Sequence, residues 1–310
     1  MSDDVEGELI DAVAGYTHDP HGYVQFAYDW GHGELEGAKG PRVWQADVLR
    51  DIGKHLKNPT TRHEPLLISV ASGHGPGKSA LVGMIVDWSM STFEKTRVIV
   101  TANTDTQLRT KTAPEVAKWF RRSITAAWWS ITATKIAAIT NETHWKCDFI
   151  PWSEHNTEAF AGLHNEGKRL ILIFDEASAI SDKVWEVAEG ALTDLNTEII
   201  WLAFGNPTRV TGRFRECFRK FKHRWIHRQI DSRTVEGVNL IQIKKWQDDY
   251  GQDSDFFKVR VRGQFPASGI RQFISTQLAD AAAARGHGAV PGRCRRPRVA
   301  RTQRVDVRWK

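Results

Sequence analysis

A glycine-rich loop between an apolar run and a helix-forming segment limits the possible folds of this 310-residue chain more than any other feature. Residues 66–70 have the composition of a buried strand, and residues 80–90 are predicted to form a helix. Between them stands the sequence Ser72-Gly73-His74-Gly75-Pro76-Gly77-Lys78-Ser79. It fits the phosphate-loop pattern GxxxxGK(S/T) except at the first position, where serine replaces glycine. The alternative is a glycine-rich turn with an incidental lysine.

Each part of this loop has a chemical role in the phosphate-loop interpretation. The glycines Gly73 and Gly75 supply the backbone freedom that lets amide groups point at phosphate oxygens. Lys78 is predicted to reach the β- and γ-phosphates of a nucleotide, and the Ser79 hydroxyl to ligate Mg²⁺. His74 is expected to be exposed and to have no chemical role.

A second apolar run, residues 170–174, ends in two acids. Asp175 is predicted to hold the Mg²⁺ shell, and Glu176 to polarise the attacking water as general base. A strand that ends in Asp-Glu is common, but together with the phosphate loop it favours an ATPase. A small-molecule kinase has no need of a water-activating glutamate.

The remaining segments alternate between strand and helix patterns. Further strands are predicted at residues 98–101, 199–204 and 225–230, and helices at 106–122, 182–192 and 240–250. Residues 134–151 are predicted to form a hairpin around Asn141 and Glu142, and residues 44–56 have helical spacing. Because the strands are apolar throughout, the predicted fold is α/β, with a parallel sheet flanked by helices on both faces.

For four further site residues, spacing alone leaves more than one interpretation open. Asn206 follows the strand at 199–204 and would sense the γ-phosphate, or else simply begin an Asn-Pro turn. Gln45 would pair with the adenine edge of ATP, whereas its neighbour Trp44 would otherwise only face the core. A cation is also expected near the transferring phosphate, and Arg109 is preferred because it lies in a Thr-rich segment. The other candidates are Arg121, Arg122, Arg209, Arg213 and Arg215.

The net charge of +6 does not by itself indicate nucleic-acid binding. Nine Lys or Arg residues and one acid lie between Arg285 and Lys310, so residues 1–284 carry a net charge of −2.

The three cysteines are far apart and form no Cys-x-x-Cys pair, so neither a disulfide framework nor a zinc site is predicted. No apolar run approaches the roughly 20 residues that span a bilayer. These features favour a cytoplasmic protein.

Taken together, the motifs resemble the ATPase domain of phage large terminases, the motors that thread DNA into a capsid. The likeness covers roughly residues 20 to 275. It rests on Trp44-Gln45, on the loop from Ala71 to Ser79, on Ala159-Phe160-Ala161-Gly162-Leu163-His164, on Ile173-Phe174-Asp175-Glu176-Ala177-Ser178 and on Leu202-Ala203-Phe204-Gly205-Asn206-Pro207-Thr208.

The resemblance implies a RecA-like sheet with an additional strand, an adenine contact at Gln45, a catalytic Glu176 and a coupling motif at residues 205–208. It implies ATP and Mg²⁺ as cofactors. The implied partners are double-stranded DNA, a small terminase subunit and the portal and capsid, with the motor working as a homo-oligomeric ring in the cytoplasm of the bacterial host. The expected organisation is a helical segment at 1–60 with the adenine motif, an ATPase core at 61–266, and a linker with a basic tail at 267–310.

The chain departs from this family after Ala267. Terminases continue into a nuclease domain whose clustered carboxylates hold two metal ions, whereas the acids after Ala267 are Asp280 and Asp306. No nuclease activity is therefore expected. The tail is interpreted as a frameshifted or truncated reading frame, or as a disordered basic arm that binds DNA phosphates. A helicase-like ATPase and an inactive remnant remain the alternative functions.

Overall fold

The computed structural model describes residues 3–102, 104–152 and 163–267, and an eight-stranded sheet lies at the centre of this part of the chain. The strand order is β3-β4-β5-β2-β6-β7-β1-β8. From β5 to β8 all neighbours are parallel, whereas β3 and β4 are antiparallel additions at one edge. The strands are β1 (Leu66–Ser72), β2 (Arg97–Thr101), β3 (Trp129–Ile131), β4 (Lys135–Ala138), β5 (Lys146–Phe149), β6 (Arg169–Phe174), β7 (Glu198–Gly205) and β8 (Ile226–Ile230).

The additional strand implied by the sequence resemblance is β7. It lies between β1, which leads into the glycine-rich loop, and β6, which leads into Asp175. Ala71 of β1 is paired with Gly205 of β7, and Phe174 of β6 with Ala203. The residues that follow these three strands therefore meet at one edge of the sheet. The predicted α/β fold with helix-covered parallel strands is confirmed.

Helices cover both faces of the sheet. They are α1 (Asp3–Ala14), α2 (Pro20–Ala27), α3 (Val43–Lys57), α4 (Lys78–Ser91), α5 (Asp105–Gln107), α6 (Ala113–Arg122), α7 (Asp182–Glu189), α8 (Arg213–Glu216), α9 (Leu240–Tyr250) and α10 (Asp255–Arg260). A π-helical turn, Leu108–Thr112, joins α5 to α6. The predicted helices are confirmed, whereas β3, α8 and α10 were not predicted. Among the described residues, no helix is long and apolar enough to cross a membrane.

The buried side chains form two large apolar clusters, one on each face of the sheet. On β6, Ile171 and Ile173 belong to the cluster under α2, α3, α4 and α6, whereas Leu170 and Leu172 belong to the cluster under α7 and α8. Every residue of β1, β6 and β7 is buried. This is why these strands are mostly apolar and do not alternate between apolar and polar residues.

Two predictions fall partly or wholly outside the described residues. Of the terminase-like sequence at 159–164, only Leu163 and His164 are described. Residues 268–310, with the basic tail and both acids on which the nuclease argument depends, are also outside. The predictions about the tail, the missing nuclease and the domain boundaries therefore stay predictions.

Candidate nucleotide-binding site

The glycine-rich loop turns directly from β1 into α4. Gly75 and Gly77 have φ values of 76° and 89°, a left-handed conformation that favours glycine. Lys78 and Ser79 then form the first turn of α4, where backbone N–H groups have no acceptor within the helix. The positive end of the helix dipole and these N–H groups together form an anion-binding site.

The first part of the loop is anchored to the protein instead of facing the anion site. The Gly73 N–H donates to Ile230 O at 3.1 Å, and the His74 N–H donates to Arg260 O at 2.7 Å. A Cβ on Gly73 would lie 2.3 Å from Ser232 Oγ, so glycine is required by close packing. The Gly73 amide is therefore already bonded within the protein, and its place in the nucleotide site stays a prediction. His74 is exposed, as predicted.

Lys78 is buried at the edge of the sheet, with 9% of its surface exposed. Its Nζ lies 3.2 Å from Ser72 Oγ and 3.4 Å from Asn206 Oδ1. Asn206, 4% exposed, donates from Nδ2 to Ser72 O at 2.6 Å. The serine at the first position of the loop thus supplies a hydroxyl to the lysine. Asn206 is brought to the phosphate loop, which a simple Asn-Pro turn would not require.

Asp175 is the buried acid of the site. Its Oδ2 accepts a hydrogen bond of 2.6 Å from the Thr112 hydroxyl, and its Oδ1 accepts one of 3.1 Å from the Glu176 N–H. Burial first, and the neighbouring Glu176 charge second, raise the pKa of Asp175, while the bond from Thr112 and the charge of Lys78 oppose this rise. Thr112, in the π-helical turn, was not predicted. The only sequence signal was the Thr-rich segment at 101–112.

Glu176 has a strained backbone. Its φ and ψ of 53° and 43° are left-handed, which costs a non-glycine residue about 1–2 kcal/mol. The turn that follows is held by a 3.1 Å contact between the hydroxyls of Ser178 and Thr208. A Cβ on Gly205 would lie 3.2 Å from the Ala177 N. The Asp-Glu turn and residues 205–208 are therefore packed against each other.

The start of α3 holds the other side of the loop. The Trp44 indole is 7% exposed, belongs to the core and donates to Pro76 O at 2.9 Å. Gln45, 3% exposed, donates to Gly77 O at 2.8 Å and accepts from the Arg42 N–H at 2.8 Å. Both residues contact the phosphate loop. Trp44 also faces the core, as the alternative interpretation of the sequence predicted. The adenine contact of Gln45 stays a prediction.

Arg109 lies at the surface of the π-helical turn. Its guanidinium bonds Asp105 at 2.6 Å, and its side chain is 45% exposed. Arg122 and Arg213 are paired with Glu34 and Glu189, and Arg209 lines a cavity of about 520 Å³ beside Ser178. Arg121 is exposed at the end of α6, and the Arg215 guanidinium stacks on Phe265. The structure gives none of the six candidate arginines a contact with Lys78 or Asp175, so the assignment of Arg109 stays a prediction.

The fold and the site together define a P-loop fold of the additional-strand type: a phosphate loop, an Asp-Glu strand two positions away, and a polar residue just after the strand between them. Comparisons with known proteins narrow this class. The chain is 28% identical over 257 residues to the probable terminase, large subunit, of Enterobacteria phage P7. The match covers 78% of this chain, which spans about half (49%) of that relative.

Solved structures of phage large terminases share the fold. The bacteriophage HK97 large terminase has a TM-score of 0.54 and 11% identity, over 85% of this chain and 58% of that one. A large terminase from a thermophilic bacteriophage, in complex with ADP, has a TM-score of 0.55 and 13% identity, over 73% and 54%. The resemblance to phage large terminases is therefore confirmed. Residues 69–189 also match the model of the RNA cytidine acetyltransferase NAT10/TcmA helicase domain.

Proposed function

We propose that this chain is the ATP-hydrolysing motor of viral DNA packaging, in which hydrolysis drives translocation of double-stranded DNA. The observation that carries this proposal is the meeting of Lys78, Asn206 and Asp175 at one sheet edge, in a chain related to terminase large subunits. Lys78 binds the β- and γ-phosphates of ATP, beside the N–H groups at the start of α4.

The residues present fit a Mg²⁺ ion. Asp175 is a buried carboxylate with a raised pKa and forms no ion pair with another described residue, so a bound cation would offset the cost of its charge. No cluster of three or more His, Cys, Asp or Glu occurs in the described part of the chain, and Mg²⁺ with a nucleotide needs only one or two carboxylates. Asp175 and the Ser79 hydroxyl are the proposed ligands; the ion would neutralise phosphate charge.

Glu176 acts as general base toward the attacking water. Its strained backbone supports this role, because strain of this kind persists where the surrounding structure enforces a functional position. Arg109 is the proposed cation on the transferring phosphate. Trp44 and Gln45 are the proposed adenine contacts, and Trp44 lines a cavity of about 260 Å³.

Residues 205–208 couple the nucleotide to the rest of the domain. Asn206 contacts Lys78, and two residues later Thr208 contacts Ser178 after the catalytic glutamate. A change at the γ-phosphate therefore reaches one short segment from two sides. By relation to terminases, we further propose a small terminase subunit, portal and capsid as partners, a homo-oligomeric ring, and the cytoplasm of the bacterial host as the location.

The test is ATP hydrolysis by the purified chain with and without double-stranded DNA, followed by addition of empty capsids. Hydrolysis stimulated by DNA and further by capsids is expected.

The match to a helicase domain over residues 69–189 favours a helicase-like ATPase as the second candidate. ATP-dependent strand separation without capsid stimulation would decide for that candidate, and absence of hydrolysis under all conditions would leave an inactive remnant. No metal-dependent nicking of plasmid DNA is expected.

A further inference from the structure

A strongly basic segment follows the coupling motif. Residues 209–228 contain eight Lys or Arg residues and one acid, Glu216. The segment comprises α8, the turns after it and most of the edge strand β8. The net charge does not reveal this basic segment, because acids elsewhere bring the net charge of residues 1–284 to −2.

Five of the eight cations of this segment are exposed, whereas its aromatic side chains face inward. Phe214 and Trp225 are buried in the core cluster under α7 and α8, and Phe218 and Phe221 pack against that cluster. The exposed cations are Arg209, Arg219, Lys220, Lys222 and Arg224. We call these cations the basic surface.

The protein neutralises only part of this charge. Glu189 bonds both Arg213 and Arg224, so one acid serves two arginines. Lys220 and Lys222 form no ion pair with any other residue that the structure describes. A concentration of like charges raises the free energy of the folded chain unless an anion approaches it.

We propose, on the basis of the function proposed above, that the basic surface binds the phosphate backbone of double-stranded DNA. Phosphate contacts from Lys and Arg supply most of the sequence-independent affinity of such proteins. Single-stranded nucleic acid is a poorer fit, because its binding sites present exposed aromatic rings on which bases stack. Here the aromatic rings are turned into the core.

The position of the basic surface also suits a motor that moves DNA, because the segment is connected to the phosphate loop. Arg209 follows Asn206 by three residues, and Asn206 contacts Lys78 of the phosphate loop. Gly205 lies against Phe214, the aromatic anchor of α8, since a Cβ on Gly205 would be 3.4 Å from that ring. A movement of residues 205–208 would therefore be passed directly to the segment that holds DNA.

The experiment compares two double variants of the full chain. Lys220→Gln/Lys222→Gln removes two charges of the basic surface. Lys54→Gln/Lys245→Gln, which removes two exposed charges that also lack an ion pair with any described residue, is the matched control. Binding of a fluorescent duplex is measured by anisotropy over a range of salt concentrations, without hydrolysis. For the first variant we expect an affinity about 10-fold or more lower at 0.1 M salt, with a salt slope smaller by about 0.9 per lost phosphate contact. The control should change less than about 2-fold.

Equal losses in the two variants, or wild-type binding by the first, would overturn the proposal. A loss confined to a single-stranded oligonucleotide would overturn it as well. ATPase activity without DNA should be the same in both variants and the wild type. Because binding and DNA-free hydrolysis are read separately, an inactive wild-type enzyme would refute the proposed function without deciding the binding surface.

Discussion

A pair of buried polar side chains lies at each end of the neighbouring strands β6 and β7. The two pairs differ in how strongly the protein itself bonds them. At the amino ends, Arg169 and Glu198 are 0% and 4% exposed and are joined by a bond of 2.8 Å from Nε to Oε2. Arg169 also donates to Thr17 O and lies 4.5 Å from the Trp88 ring. His18 bonds the second oxygen of Glu198 at 2.7 Å.

At the carboxyl ends, Asp175 and Asn206 are equally buried but have weaker partners. Asp175 receives hydrogen bonds from a hydroxyl and an amide, and its pKa is raised because burial dominates. The nearby Lys78 contacts only neutral oxygens, at 3.2 and 3.4 Å. The difference indicates what each end is for. Charges at the amino ends are satisfied within the protein, whereas those at the carboxyl ends are not, which supports the proposal that a nucleotide binds there.

The largest expected effect lies at the carboxyl ends. Lys78→Ala should abolish nucleotide binding, because the buried ammonium is the proposed partner of the phosphates. Glu176→Gln should keep binding intact and lower turnover by roughly 10²- to 10⁴-fold, the usual contribution of a general base. Binding is measured by calorimetry and turnover by phosphate release, with Lys183→Ala as an exposed control. Hydrolysis by Glu176→Gln at the wild-type rate would remove Glu176 from the mechanism.

The second prediction contrasts the two ends directly. Glu198→Ala leaves the buried Arg169 charge without its carboxylate, and removal of one partner of such a pair costs about 3–5 kcal/mol. Asp175→Asn should change the free energy of unfolding by less than about 1 kcal/mol, because the raised pKa means that its charge is already unfavourable in the folded state. Urea unfolding of both variants measures this difference.

The ATPase activities of the same two variants should differ in the opposite direction to their stabilities. Asp175→Asn should lose activity although it is stable, and Glu198→Ala should keep activity at a temperature where it remains folded. A large loss of stability in Asp175→Asn would show that the carboxyl ends are also structural. The comparison between the two ends would then fail.

Much of this site could be predicted because its motifs are local. Strand, loop and helix around Lys78, and the strand before Asp175, are continuous in sequence, so apolar patterning located them. Thr112 could not be found in this way, because its contact with Asp175 depends on β2 and β6 being neighbours and on a π-helical turn. The anchoring of His74 by Arg260 joins residues far apart in the chain and leaves no local signal.

The basic segment at residues 209–228 is not visible in the net charge, for a different physical reason. The net charge of residues 1–284 is a single sum over all of them, whereas a DNA backbone responds to charge within about one Debye length, roughly 8–10 Å. Residues 209–228 are basic on that scale even though the body as a whole is not. A moving count over some 20 residues would have revealed the basic segment.

The third prediction concerns the pH dependence of the carboxyl-end site. The Thr112 hydroxyl donates to ionised Asp175 and so opposes the rise in its pKa. Thr112→Val removes this donor, which raises the pKa of Asp175 further and should shift the acid limb of the ATPase pH profile to higher pH. Thr112→Ser keeps a hydroxyl and should restore the wild-type profile. If the valine variant changed the rate equally at every pH, Thr112 would have only a packing role.

The smallest effect is expected at the amino ends, where His18 borders the ion pair. Burial, together with the charges of Arg62 and Arg169, lowers the pKa of His18 more than the nearby Glu198 raises it, although the His18 and Glu198 side chains are only 2.7 Å apart. In acid the unfolded chain therefore binds a proton that the folded His18 resists, and stability must fall as the pH drops through this window. Above the unfolded pKa of His18 this contribution is fully present.

His18→Gln should flatten the dependence of unfolding free energy on pH between about pH 5 and 7.5, whereas His144→Gln, at an exposed turn, serves as the control. A steeper fall in acid for the His18 variant would mean that the ion pair with Glu198 dominates, so that the amino ends depend on a protonated histidine.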